Sequence, residues 1–145
     1  MISSTATYAL RAVVYLASQS DRYVNRAEIS DATLVPHEYL LKVLNQLDGN
    51  AGIVESRRGP GGGYRLRKPA NELTTLDVVL AVDTIPRITE CPLGIVGHEQ
   101  LCPLHQLLDE AGRRVEEAFA KTHISDLLPG KSSRACEFPS NNPTE

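Results

Sequence analysis

Two cysteines and two histidines, Cys91, His98, Cys102 and His105, fall within fifteen residues, the densest set of soft ligands in the chain. Thiolate sulfur and imidazole nitrogen are the donors that zinc and iron–sulfur sites take. Without a metal, the same thiols are candidates for oxidation chemistry. The third cysteine, Cys136, stands in a Ser-, Pro- and Asn-rich stretch and reads as a free thiol, or as a third sulfur that a flexible tail brings in. His37 opens a helix and suits a phosphate or water contact, and His123 suits a capping role.

A second chemistry belongs to Arg57-Arg58-Gly59-Pro60-Gly61-Gly62-Gly63-Tyr64-Arg65-Leu66-Arg67. Four of the five residues from Gly59 to Gly63 are Gly, which permits a tight turn with positive φ. Residues 53–56 run in and residues 64–67 run out with apolar and charged types alternating, so the stretch reads as a β-hairpin with cations at its base. Such a hairpin suits a phosphate backbone or a narrow groove. It does not suit a nucleotide loop. The phosphate-binding pattern closes with Gly-Lys-Ser/Thr, whereas Gly63 precedes Tyr64 and Arg65, and the dinucleotide pattern would require Gly at 64 with a helix after it. No nucleophile stands beside a base in a plausible pocket, so enzyme classes are set aside.

Both features must be positioned by a chain of 145 residues with net charge −3. That length suits one domain, burying roughly two-thirds of its unfolded surface. With no Trp and only two Phe, the core must be aliphatic. No apolar run approaches the ~20 residues of a membrane span, and no secretory signal opens the chain. Three cysteines argue against a disulfide framework, so the expected location is cytoplasmic. The charge is uneven. Residues 1–68 carry nine Lys/Arg and six Asp/Glu, whereas residues 69–145 carry six and twelve. The basic half holds the hairpin, as in a nucleic-acid-facing part joined to an acidic part with another task.

Apolar spacing predicts a mostly buried helix over 4–18, a short second helix capped by Asn25 with Glu28 three residues on, and a third from Pro36 to about Asp48. In the third, Leu40, Val43, Leu44 and Leu47 form the core stripe. Glu38, Lys42 and Asn45 point away from it, with Tyr39, Leu41 and Gln46 on its shoulders. Two helices joined by a tight turn and followed by a basic hairpin make a winged helix-turn-helix, which lays its second helix in the DNA major groove. The expected fold is therefore mostly α with one small β-hairpin. Thr74 or Thr75 then caps a helix over 76–83, and Pro86 opens an irregular segment. A long helix to about Lys121 carries Leu104, Leu107, Leu108, Ala111 and Val115 on one stripe. Such a stripe needs an apolar partner, and a homodimer on a near-palindromic site is the expectation. The expected organisation is a DNA-binding domain over 1–83, a sensory or linker loop over 84–103, a dimerisation helix and docking turn over 104–128, and a mobile tail over 129–145.

Val54-Glu55-Ser56-Arg57-Arg58-Gly59-Pro60-Gly61-Gly62-Gly63-Tyr64-Arg65-Leu66 resembles the wing signature of the Rrf-two family of bacterial transcription regulators. Tyr8-Ala9-Leu10-Arg11 is similar to the family's opening helix, and Tyr39-Leu40 to its recognition helix. Leu76-Asp77-Val78-Val79 with Ala81-Val82-Asp83 is similar to the helix after the wing, so the resemblance spans about residues 1–128. It implies a homodimeric repressor or activator on double-stranded DNA, with many relatives sensing redox state, nitric oxide or iron–sulfur supply through a bound cluster. By position, Tyr39 falls on the base-contacting face and Arg58 where the wing reaches the minor groove. With Glu38, Lys42, Asn45, Arg57, Gly61 and Arg65 they complete the expected DNA-binding set. The family's iron–sulfur assembly regulator has a Glu where this chain has Leu41, so a different operator choice is expected.

The resemblance also matches Cys91 to the first cysteine of the family's ligand loop, Cys102 to the last, and His105 to a His three residues beyond. The middle cysteine is missing, and His98 falls close to its place. Ligand positions that the family has on the first helix hold Thr7 and Arg11, which are not credible metal ligands. Four readings stay open: a [2Fe–2S] cluster on Cys91, Cys102, His105 and His98; zinc on the same groups; a thiol switch, or haem at a Cys-Pro pair; and a relative without a cofactor. Mixed sulfur and imidazole ligation would raise a cluster's reduction potential.

Overall fold

In the computed structural model, which describes residues 2–49, 51–95, 102–130 and 138, small side chains allow one helix to sit at the centre of the core. That helix, α1 (Ser4–Ser18), buries Ala6, Ala9, Ala12, Val13 and Leu16, and the next three helices all pack on it. Ser3 caps it, its hydroxyl accepting the Ala6 N–H at 3.1 Å. The second helix, α2 (Arg26–Thr33), starts on Asn25 as expected, with Oδ1 accepting the Glu28 N–H at 2.9 Å. It ends on Leu34, a left-handed residue with φ of 56° that turns the chain into the next helix. In α3 (His37–Asp48), Leu40, Val43, Leu44 and Leu47 are fully buried, against α1 and α2.

The hairpin follows as β1 (Val54–Arg57) and β2 (Gly63–Leu66), antiparallel with Val54 opposite Leu66 and Arg57 opposite Gly63. One further rung stitches it to the core. The Tyr64 N–H donates to the Val24 carbonyl at 2.8 Å, and the Val24 N–H donates back at 2.9 Å. This approach requires glycine at 63, where φ is 142° and a Cβ would lie 2.3 Å from the Val24 carbonyl oxygen. At Gly62 a Cβ would lie 2.2 Å from the Arg57 carbonyl oxygen. The glycines thus answer a demand for close chain approach as well as for turning.

A capping box between Thr74 and Asp77 opens α4 (Thr75–Val82), which runs against α1 and sits one residue earlier than the expected 76–83. Residues 83–95 contain no helix or strand. The last helix, α5 (Pro103–Lys121), buries little of itself; His105 is its one buried side chain among the described residues. A 3-10 turn, Ile124–Leu127, then docks on the core. Ile124 is fully buried, its N–H donating to the Leu73 carbonyl at 2.8 Å. The stretch expected as a tail lies mostly outside the described residues; within it, the Phe138 ring stands edge-on to Tyr15 at 5.3 Å. No helix among the described residues is long and apolar enough to cross a membrane.

Candidate functional site

Burial of the α3 core stripe forces the other face of that helix outward. Glu38, Lys42 and Asn45 are exposed, as their spacing predicts, and Tyr39, which spacing places on the shoulder, is exposed with them. Tyr39 is held in place by α1: its ring meets Tyr8 edge-on at 5.5 Å, and its hydroxyl lies 3.5 Å from Thr5 Oγ1. Two cations frame this pair, Lys42 Nζ at 5.8 Å from the Tyr39 ring and the Arg11 guanidinium at 5.8 Å from Tyr8. Leu41, placed by spacing on the shoulder of the helix, is 37% exposed and lines the outer face with Glu38, Lys42, Asn45 and Gln46.

The wing cations divide into two groups. Arg65 donates to Glu55 Oε1 through Nε at 3.1 Å and Nη2 at 2.6 Å, and its guanidinium lies 4.6 Å from the Tyr23 ring centroid. Tyr23 donates to the same carboxylate oxygen at 2.8 Å. Donation by Arg65, then by Tyr23, holds the Glu55 carboxyl below the usual range, and Glu55 in turn raises Arg65. Arg67 pairs with Asp48 at 3.1 Å, tying the hairpin to the end of α3. The Arg57 guanidinium also lies over the Tyr23 ring, at 5.8 Å, while Arg58 makes no ion pair among the described residues. Both are exposed at the mouth of the turn with Gly61. Tyr23 as the shared platform of the wing was invisible in the sequence, since nothing local ties it to Glu55.

The sulfur loop is anchored to the start of α5. Arg87 bonds Asp109 at 2.9 Å and Glu116 at 3.1 Å, holding the irregular segment along the helix. Cys102 is the helix cap, with Sγ accepting the His105 N–H at 3.4 Å. The Cys91 thiol lies beside that of Cys102, and the backbone N–H groups of Ile95 and Leu93, together with that neighbour, lower its pKa. The two cysteines expected to act together are therefore brought together. His105 does not join them in a three-donor set among the described residues, and its Nε2 lies 2.9 Å from the Ile88 carbonyl oxygen. His98 and Cys136 lie outside the described residues. Among the described residues no three His, Cys, Asp or Glu side chains are placed to hold a metal ion. Two adjacent thiols supply half of a four-ligand set, and the described donors do not complete it for a cluster or for zinc.

An amphipathic helix set behind a tight turn, with a basic hairpin after it, defines a winged helix-turn-helix DNA-binding protein. Residues 2–130 match the family model Rrf2, described as iron-dependent transcriptional regulator, and the chain belongs to that family. An Aquifex aeolicus protein named as an HTH-type transcriptional regulator is 31% identical over 134 residues, covering 88% of this chain and 91% of its own. The solved structure of CymR (YrzC), the global cysteine regulator of B. subtilis, is similar with a TM-score of 0.74 and 25% identity, covering 88% of this chain and 95% of that one. The structure of T. potens IscR is similar in fold, with a TM-score of 0.75 at 18% identity over 94% and 93% of the two chains. The protein is a transcription regulator of the Rrf2 family.

Proposed function

We propose that two copies of this chain bind a near-palindromic operator and repress transcription, and that the chemistry of Cys91 and Cys102 sets their affinity. The observation that carries the DNA reading is the joint exposure of Glu38, Tyr39, Lys42 and Asn45 on α3 beside Arg57 and Arg58 on the wing. In this reading residues 1–83 form the reading head, 84–103 the sensory loop and 104–128 the dimerisation helix with its docking turn. Six to ten phosphate contacts would cost about 10³–10⁵ in affinity between 50 and 200 mM salt. Gel-shift titrations against the promoter of the protein's own gene test this. Absence of a salt-sensitive complex would leave an interaction module that does not bind DNA.

For the signal, the proximity of the two thiols favours reversible dithiol oxidation. A peroxide-class oxidant would take two electrons and two protons from Cys91 and Cys102 as the S–S bond forms. A second reading is an iron–sulfur cluster, favoured by the family's iron-dependent description; Cys91 and Cys102 would be two of its ligands, and zinc on the same thiols is the variant of it. Iron and acid-labile sulfide with visible absorption in protein purified without oxygen would establish the cluster, and bound zinc the variant. Metal-free protein whose thiol count falls by two on peroxide treatment would establish the dithiol. If Cys91→Ser and Cys102→Ser both keep wild-type operator affinity under every redox condition, neither thiol senses anything.

A further inference from the structure

We propose that Leu41 determines sequence specificity by reading the 5-methyl group of a thymine in the operator's major groove. This rests on the operator-binding reading and goes beyond the different operator choice expected of Leu41, since it names the chemical group that the side chain reads. The four other Leu and Val residues of α3, Leu40, Val43, Leu44 and Leu47, are all fully buried, whereas Leu41 remains 37% exposed. It is not among the apolar side chains packed against the core. Its surroundings are polar: it shares a shallow concavity of about 540 Å³ on the outer face of α3 with Glu38, Lys42, Asn45, Gln46 and Gly49. Glu38 and Asn45 lie one turn to either side of it on the same helix row, so whatever the polar groups touch, Leu41 touches the space between.

In that space the chemistry is narrow. The major-groove edges of the base pairs present hydrogen-bond donors and acceptors, and the thymine methyl is the apolar group among them. Against a methyl, Leu41 removes apolar surface from water. Against any other edge it would strip water from a polar group and offer no hydrogen bond in return, which is unfavourable. An exposed leucine between reading side chains therefore favours thymine and penalises the alternatives.

The test begins by selecting operator duplexes from a random pool with the full-length protein, then replacing each thymine by deoxyuridine, which removes the methyl alone. One position per half-site should lose affinity, by about fourfold in one half-site and about fifteenfold when both are changed, as for burial of one methyl each. Leu41→Ala should bind the thymine operator more weakly by a similar factor and be indifferent to deoxyuridine there. If no thymine replacement weakens wild-type binding, or if Leu41→Ala keeps the same penalty, Leu41 does not read thymine although the protein binds DNA. If no duplex is retained at all, the operator-binding reading fails and takes this inference with it.

Discussion

Arg65 and Arg58 carry the same charge on the same hairpin, yet their surroundings give them different work. Arg65 is spent on Glu55 and on the face of Tyr23, a brace joining the base of the wing to the segment before α2. Arg58 has no ion pair among the described residues and is exposed beside the turn. A guanidinium already satisfied by a carboxylate releases few counterions on meeting DNA, whereas an unpaired one releases its share. Arg58→Ala should therefore make the slope of log affinity against log salt shallower by about two in a dimer, near one for each wing. Arg65→Ala should leave that slope unchanged and lower the thermal midpoint, since it loosens the wing. Operator titrations from 50 to 200 mM salt, with melting curves of both variants, separate the two roles. Unequal counterion release is the point of the experiment, so an equal change of slope in both variants would contradict the division of labour drawn from the ion pairs.

At the scale of elements, the wing and α5 fail in different ways. Gly63→Ala places a Cβ against the Val24 carbonyl and should cost about 2–4 kcal/mol from backbone strain and overpacking together. Gly61, with φ of 70° and open space around its missing Cβ, should cost only about 1–2 kcal/mol as alanine. Urea unfolding of the two variants measures the difference. In α5, donation by Arg113 and then Arg114 holds the Glu110 carboxyl at about 2 instead of its usual 4.5. A carboxyl lowered in the folded state stabilises above its unfolded value and stops doing so as pH falls through its folded value. The melting-temperature gap between wild type and Glu110→Gln should thus be flat above about pH 5 and close between 4.5 and 2. The helices themselves were legible in the sequence because their signals are local: Asn25, Pro36 and Thr74 start them, and apolar spacing fixes their faces. The contacts that tune the site were not. Tyr23 reaches Glu55 across 32 residues, and Tyr39 reaches Thr5 across 34, distances over which no spacing rule operates. The sulfur loop was legible in part, since closeness in sequence predicted that Cys91 and Cys102 meet. It could not show that His105, in the first turn of α5, places Nε2 on the Ile88 carbonyl.

For the whole molecule, the proposed dimer requires that two reading heads act as one. The final helix is held to its own chain at few points: His105 is buried at its start, Arg87 reaches Asp109 and Glu116 along its middle, and the Thr75 hydroxyl donates to the Phe119 carbonyl near its end at 2.8 Å. Along the rest, Leu104, Leu107 and Leu108 stay exposed, Leu107 by 64%. An amphipathic helix that leaves its apolar stripe uncovered in one subunit is the natural seam for a second. The cap of that helix is Cys102, so an S–S bond to Cys91 would change the anchoring of the seam, and a coupling of 1–3 kcal/mol would shift operator occupancy about five- to 150-fold. A charge in the middle of the stripe tests the arrangement directly. Leu107→Glu should sediment as a monomer with an unchanged fold, because Leu107 contributes little to the core of its own subunit. Two half-sites engaged by one dimer gain about 10²–10⁴ over separate binding. Wild type should therefore prefer a full operator to a half-site by that factor, and Leu107→Glu should bind the two almost equally. A monomeric variant that still favours the full site would mean that the heads are coupled through DNA and not through α5.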